Sequence, residues 1–453
     1  MKNGTPRRDT EVRVGHVFDG VDDGLSAQEG TLIFDPSFGT ELVLPYLRDY
    51  ESASSPHHAK TARRLEGDGD GLPKTLVFCD PKGSLTLNGL QVSKRECGPV
   101  PSGRARPQLV FFGRAAEVRD EYAVREVAST LDGIEEFAGF SPMTLTETFR
   151  PEAGVAVRVD VDASEVVHWA HGEFEFEIRA NLAWRATEGR SFTTESSAPL
   201  LVTKHPEGAT VQEHIGQQRA IRALLTLAFG RPLRWRSHRA KDSAFPIFTL
   251  DGQSHPGQSI EVQYRQTVRK LNREAVPHSQ LFAPALSLRT LGSEGLKRWM
   301  RLYDDEGVRR AVDAAVAVFD DVEGYLEPQM MMLATALERF AHYWKGGGKA
   351  DRLARSIERC LENTDVQWEE RLGTTKDIAK FLACINNDLK HADRPSFPDG
   401  AELYCAVDLA EIVVRMQLVK MLDLGEVGRE GFEKTNDFRN AIDGFERNSV
   451  SIQ

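Results

Sequence analysis

The sequence predicts an α+β multidomain protein: a β-rich N-terminal domain with a few helices, then an all-α helical bundle. Three observations carry this prediction. Short apolar segments with turn residues between them run from Glu11 to about Val202. Beyond Ser293 the apolar residues change to helical spacing and keep it. At 453 residues the chain is too long for one ordinary core and is comfortable as two or three domains.

The strands come first. Val12–Val17, Gly30–Phe34, Glu41–Leu44, Thr75–Phe78, Ser84–Leu87 and Gln108–Phe112 are short runs rich in β-branched and aromatic residues. Val155–Val161 and Phe174–Ile178 alternate apolar and polar residues, as half-buried strands do. This spacing indicates an antiparallel sheet, sandwich or barrel. Ser52–Gly71 and Gly98–Pro107 read as surface loops.

A helix is expected to start at Thr210. Thr210 and Glu213 have capping-box spacing, and Gly230 stands where a C-terminal cap belongs. Ile221, Leu224, Leu225 and Ala228 form its apolar stripe, and Pro232–Thr267 returns to strand and loop. The helical half contains candidate helices at Glu294–Tyr303, Val308–Phe319, Glu327–Trp344, Asp351–Leu361, Thr375–Arg394, Gly400–Leu424 and Asp437–Phe445. In the third, Leu333, Leu337, Phe340, Ala341 and Trp344 make one core face, and Pro328 suits a first helical turn. Long amphipathic helices with short connections imply an antiparallel bundle. The domain boundaries read as 1–270 for the β-rich domain, 271–310 for a helical connector and 311–453 for the bundle.

Composition narrows the class. An apolar fraction of 40% with 28% charged residues suits a globular chain, and no run approaches a membrane span. The first residues carry charge without a following apolar segment, so a cytoplasmic protein is expected. Cys79, Cys97, Cys360, Cys384 and Cys405 are scattered, which suggests neither a disulfide framework nor a zinc site. The net charge of −11 is unevenly spread. Residues 1–200 sum to roughly −10, residues 201–300 to roughly +8 and the rest to roughly −9, so a polyanion would meet the middle segment most easily.

Chemistry concentrates on the helix expected from Thr375. Ile378, Leu382, Ile385 and Leu389 define its core side. Asn387 and His391, four residues apart, share another face, with Asn386 and Lys390 in the neighbouring row. Pro395 requires the helix to end by Arg394. Two amides, a histidine and the basic Lys390 and Arg394 therefore gather within two turns. Periodicity alone favours the polar exposed face of an ordinary bundle helix, because one histidine and two asparagines are a weak signal.

The segment Phe381–Asp393, FLACINNDLKHAD, resembles the signature helix of the HEPN superfamily, whose pattern is R-N-x-x-x-H. Glu327–Phe340 is similar to the first long helix of the ApeA-type branch, and residues from about 11 to 270 resemble the ApeA N-terminal domain. The resemblance implies a metal-independent endoribonuclease of abortive anti-phage defence, with RNA as substrate and no cofactor. It further implies a homodimer through the HEPN bundle and a phage-derived trigger at the N-terminal domain. Position by position, His391 matches the family histidine, expected to move a proton at the 2′-hydroxyl or the leaving oxygen. Asn387 matches the polar residue beside the arginine. Asn386 stands in place of the arginine itself and brings no charge. Losing a positioned cation typically costs a rate factor on the order of 10². Lys390 or Arg394 is the candidate replacement, and a catalytically degenerate module for dimerisation, RNA binding or partner binding is the alternative.

Weaker signals remain. Arg231, Arg234, Arg236 and Arg239 surround Trp235, and strand alternation would put Arg234 and Arg236 together opposite the indole, as a phosphate-contacting strip or a solvated face. His168 and His171 have ligand spacing but no third ligand in register. Glu338 and His342 share a helix face that could line the His391 cleft or form an exposed pair. Gly346–Lys349 reads as a turn between helices.

Overall fold

In the computed structural model, which describes residues 10–18, 28–35, 38–45, 72–96, 102–140, 142–150, 154–187, 191–248, 254–255, 259–268, 276–281, 284–320, 324–391 and 397–452, the anticipated strand segments lie in strands, except that Gln108 and Phe112 fall just outside theirs. The strands are β1 Glu11–Phe18, β2 Gln28–Asp35, β3 Gly39–Pro45, β4 Thr75–Asp80, β5 Gly83–Asn88, β6 Gln91–Glu96, β7 Ser102–Arg106, β8 Leu109–Phe111 and β9 Ala123–Leu131. They continue as β10 Met143–Arg150, β11 Gly154–Val161, β12 Val166–His171, β13 Phe174–Thr187, β14 Ser191–Thr210, β15 Trp235–Lys241, β16 Ile247–Phe248, β17 Ser254–His255 and β18 Ile260–Tyr264.

Fourteen of these form one sheet in the order β12-β13-β14-β9-β15-β18-β8-β5-β4-β1-β2-β3-β7-β6. The pairings are antiparallel, including the long-range ones of β9 with β14 and β15. Gly98–Pro107 departs from the expected loop, because residues 102–106 form β7. There Gly103 and Ala105 face inward, while Arg104 and Arg106 reach Glu41 at 2.8 and 3.0 Å. Of Ser52–Gly71, every residue lies outside the described ones.

The helices are α1 Ile134–Ala138, α2 Val211–Phe229, α3 Arg265–Val268, α4 His278–Leu281, α5 Leu288–Asp304, α6 Glu306–Asp320, α7 Leu326–Lys345, α8 Leu353–Glu362, α9 Thr375–Lys390, α10 Gly400–Met421, α11 Gly425–Glu433 and α12 Asn436–Arg447. Both ends of α2 follow local chemistry. Thr210 and Glu213 close a capping box, and Gly230 caps the C-terminus at φ 61°. The helix read as Glu294–Tyr303 begins earlier, at Leu288, with Ser287 as N-cap and a break at Gly292. The last long helix stops at Met421, and α11 follows as a separate element.

Two apolar clusters belong to the sheet, one around Leu32, Phe34, Leu76 and Phe78, the other around Phe111, Tyr122, Phe245 and Val262. A third runs from Leu131 through α2 into the bundle as far as Phe445. Helix α2 is thus a core element for both halves. Trp299 of α5 donates its indole N–H to the carbonyl of Ala220 at 2.7 Å, and Gln417 of α10 ties Trp344 of α7 to the Cys360 carbonyl of α8. Among the described residues, no helix is long and apolar enough to cross a membrane.

Candidate functional site

Helix α9 starts where Thr374 accepts the backbone N–H of Asp377 at 3.2 Å. It ends at Lys390, not at Arg394. His391 becomes the C-cap in extended backbone (φ −114°, ψ 100°), and its N–H donates to the carbonyl of Asn387 at 3.0 Å. His391 and Lys390 are exposed, and Asn387 is half-buried. Arg394 lies outside the described residues.

Asn386 is placed differently from the expectation. It is 0% exposed, and neither its amide N–H₂ nor its carbonyl oxygen has a partner among the described residues. The helix buries 378, 379, 382, 383, 385 and 386, a stripe wide enough to include position 386. The amide therefore points into the bundle, while Lys390 one turn on is at the surface. His391, Asn387 and Lys390 share the open end of α9; Asn386 is not among them.

The basic strip is also internal in part. Arg234 is 4% exposed, and its guanidinium donates to the carbonyl oxygen of Asp320 at 2.9 Å. Arg236 makes a two-point pair with Asp132, both contacts at 2.5 Å. The alternation that would have set the two opposite Trp235 is broken by a register shift between Trp235 and Ser237. Asp320 also receives Arg222 of α2. Arg222 and Arg234 thus join α2 and the start of β15 to the end of α6, and Arg236 is held by Asp132.

His168 faces Glu177 at 3.5 Å and His171 faces Asp304 at 2.9 Å, and no metal-competent cluster occurs among the described residues. Glu338 and His342 are both exposed on α7. Gly346, Gly347 and Gly348 all have positive φ and form the turn after α7.

Sequence reading missed Arg415. Buried at 3% exposure on α10, it donates to the carbonyls of Leu227 and Ala228 at the end of α2 and to Asp437 of α12 at 2.8 Å. Burial raises the Asp437 carboxyl, but Arg415 and Arg231 outweigh it and hold the group below the usual carboxylate range. Beside them, burial and Asp408 push Glu411 up to about 7. A cation at the negative end of α2 is electrostatically favourable, but the α2 carbonyls it meets are 187 and 188 residues distant, so no local signal marks it.

No curated protein and no solved structure matches the chain. Residues 17–299, more than half of it, match the family model for the ApeA N-terminal domain 1, a match that ends inside α5. With its antiparallel sheet, α2 and the following helices in this order, the chain belongs to the ApeA family of anti-phage defence proteins.

Proposed function

We propose that this protein is an RNA-directed defence effector in which the helical bundle is a HEPN endoribonuclease and the β-rich domain restrains or triggers it. The observation that carries the reading is the exposed His391 at the end of α9, joined to Asn387 by a backbone hydrogen bond and next to exposed Lys390. An accessible imidazole can take a proton from a 2′-hydroxyl or return one to the leaving oxygen. Lys390 supplies a mobile cation for phosphate. As the HEPN resemblance implies, cleavage proceeds without a metal, leaves a 2′,3′-cyclic phosphate, and uses two bundles whose motif ends meet in a homodimer.

One observation favours a second reading, a bundle that binds RNA or a partner without cutting. Asn386, at the family arginine position, is both uncharged and fully buried, so it offers nothing to developing phosphate charge. Cleavage of total RNA in EDTA, by purified protein and in phage-infected cells, separates the two. EDTA-resistant cleavage lost in His391→Ala supports the nuclease. Absence of cleavage in both settings, with RNA binding retained, establishes the second reading.

A further inference from the structure

Strands β9 and β14 pair as far as Glu126 and Lys204, then part, and pairing resumes only at Val124 and Ala209. Residues 205–208 on β14 therefore face Arg125 alone, with Gly208 at φ 86° closing the bulge. The bulge opens a cleft of about 480 Å³, whose far wall is the end of β15 and residues 241–243. That size falls within the range of small-molecule sites.

The charges of this cleft are not equally available. Asp242 accepts the backbone N–H groups of Arg125 at 3.2 Å and Ala244 at 2.8 Å. Glu126 is held by Arg179 at 3.1 Å, and Lys204 is held by Glu177. Arg125 and Lys241 remain, both exposed and with no side-chain partner among the described residues. His205 on the same wall is turned to Glu173, its Nε2 lying 3.4 Å from the carboxylate, and its Nδ1 is buried. Glu175 at the rim is the exposed carboxylate working against an anion there.

We propose that this cleft binds a small phosphate-bearing molecule of nucleotide size, with Arg125 and Lys241 on the phosphates. Two uncommitted cations fit charge-assisted contacts to phosphate oxygens; Glu126 is paired with Arg179, whereas Asp242, bonded to backbone N–H groups, keeps its charge and works with Glu175 against the anion. The bulge leads within two residues to Thr210, the N-cap of α2, and the other end of α2 is gripped by Arg415. A ligand here thus sits at one end of the helix that both halves share. The binding claim stands independently of the nuclease reading.

Isothermal titration of the full chain with ATP and with pyrophosphate, using citrate as a non-phosphate anion, tests it. ATP or pyrophosphate should bind the wild type, at least tenfold more weakly the Arg125→Gln/Lys241→Gln double variant, and more tightly Glu175→Gln. All three positions are exposed, so circular dichroism should show an unchanged fold. No binding of either phosphate probe to the wild type, equal affinity in the double variant, or citrate binding as tightly as pyrophosphate would each overturn the proposal.

Discussion

Arg415 donates its Nε–H to the carbonyl of Leu227 at 2.8 Å, so a buried cation of the bundle closes the last turn of a helix whose first turn springs from the β-sheet. Its Nη1 is also 2.8 Å from Asp437, which pairs in turn with Arg231 at 2.9 Å. Removing the guanidinium leaves the helix carbonyls without their donor and takes from the largely buried Asp437 carboxylate one of its two cationic partners. Arg415→Met should therefore cost about 3 kcal/mol or more in urea unfolding. Gly230→Ala should also destabilise, by roughly 1–2 kcal/mol or more, because the residue has φ 61° and its added Cβ would lie 2.5 Å from Arg415 Nη1. A neutral result for both would separate this contact from the stability of the chain.

Asn386 hides two unpartnered amide atoms in the bundle core. A buried polar group without hydrogen bonds costs about 1–3 kcal/mol relative to an apolar group of the same shape. Asn386→Leu should thus raise the urea midpoint by an equivalent of about 1–2 kcal/mol at unchanged m-value. A loss of stability would show that the amide finds a partner in solution.

Lys390 is exposed, so its substitution should leave folding alone and act on RNA. For Lys390→Gln, the slope of log affinity against log salt should fall by about 0.7–1, as expected for one lost phosphate contact to a single strand. Fluorescence anisotropy with a labelled oligoribonucleotide measures it. An unchanged slope with unchanged affinity would remove Lys390 from the interface.

Glu411 carries a pH signature. Burial and the neighbouring Asp408 raise its carboxyl from 4.5 to about 7. A group that holds its proton more tightly when folded makes stability fall as pH rises, here between about 4.5 and 7. At ~1.4 kcal/mol per unit, the loss approaches ~3 kcal/mol. Glu411→Gln stays neutral, so its stability relative to wild type should increase across this window in parallel denaturation series. A flat difference between the two would mean that Glu411 is ionised throughout.

How much of this was legible in the sequence depends on distance along the chain. Thr210, Glu213 and Gly230 marked both ends of α2 because capping involves groups within one turn. Helix faces in α7 and α10 were equally readable, since burial there repeats at the helical period. His391 was legible as a polar position near a helix end, and the structure leaves it exposed at that end. By contrast, β1 buries Arg13, Gly15 and Val17 while Val12 and Val14 stand at 58% and 69% exposure. A close approach of Gly15 to Cys79 of β4 and the two-point pair of Arg13 with Asp80 select that face, and neither partner is local.

The sequence by itself determined the α+β class, the order of strands before helices, the caps, and the residues available at the end of α9, because each follows from spacing and propensity over a few residues. Only the tertiary structure decided that position 386 turns inward, that Arg234 and Arg236 are held by Asp320 and Asp132, and that α2 is shared by both halves. Those outcomes rest on packing and ion pairing between different elements, for the arginines ones separated by 86 to 188 residues, where a periodic pattern names the faces of an element but not the neighbour each face will meet.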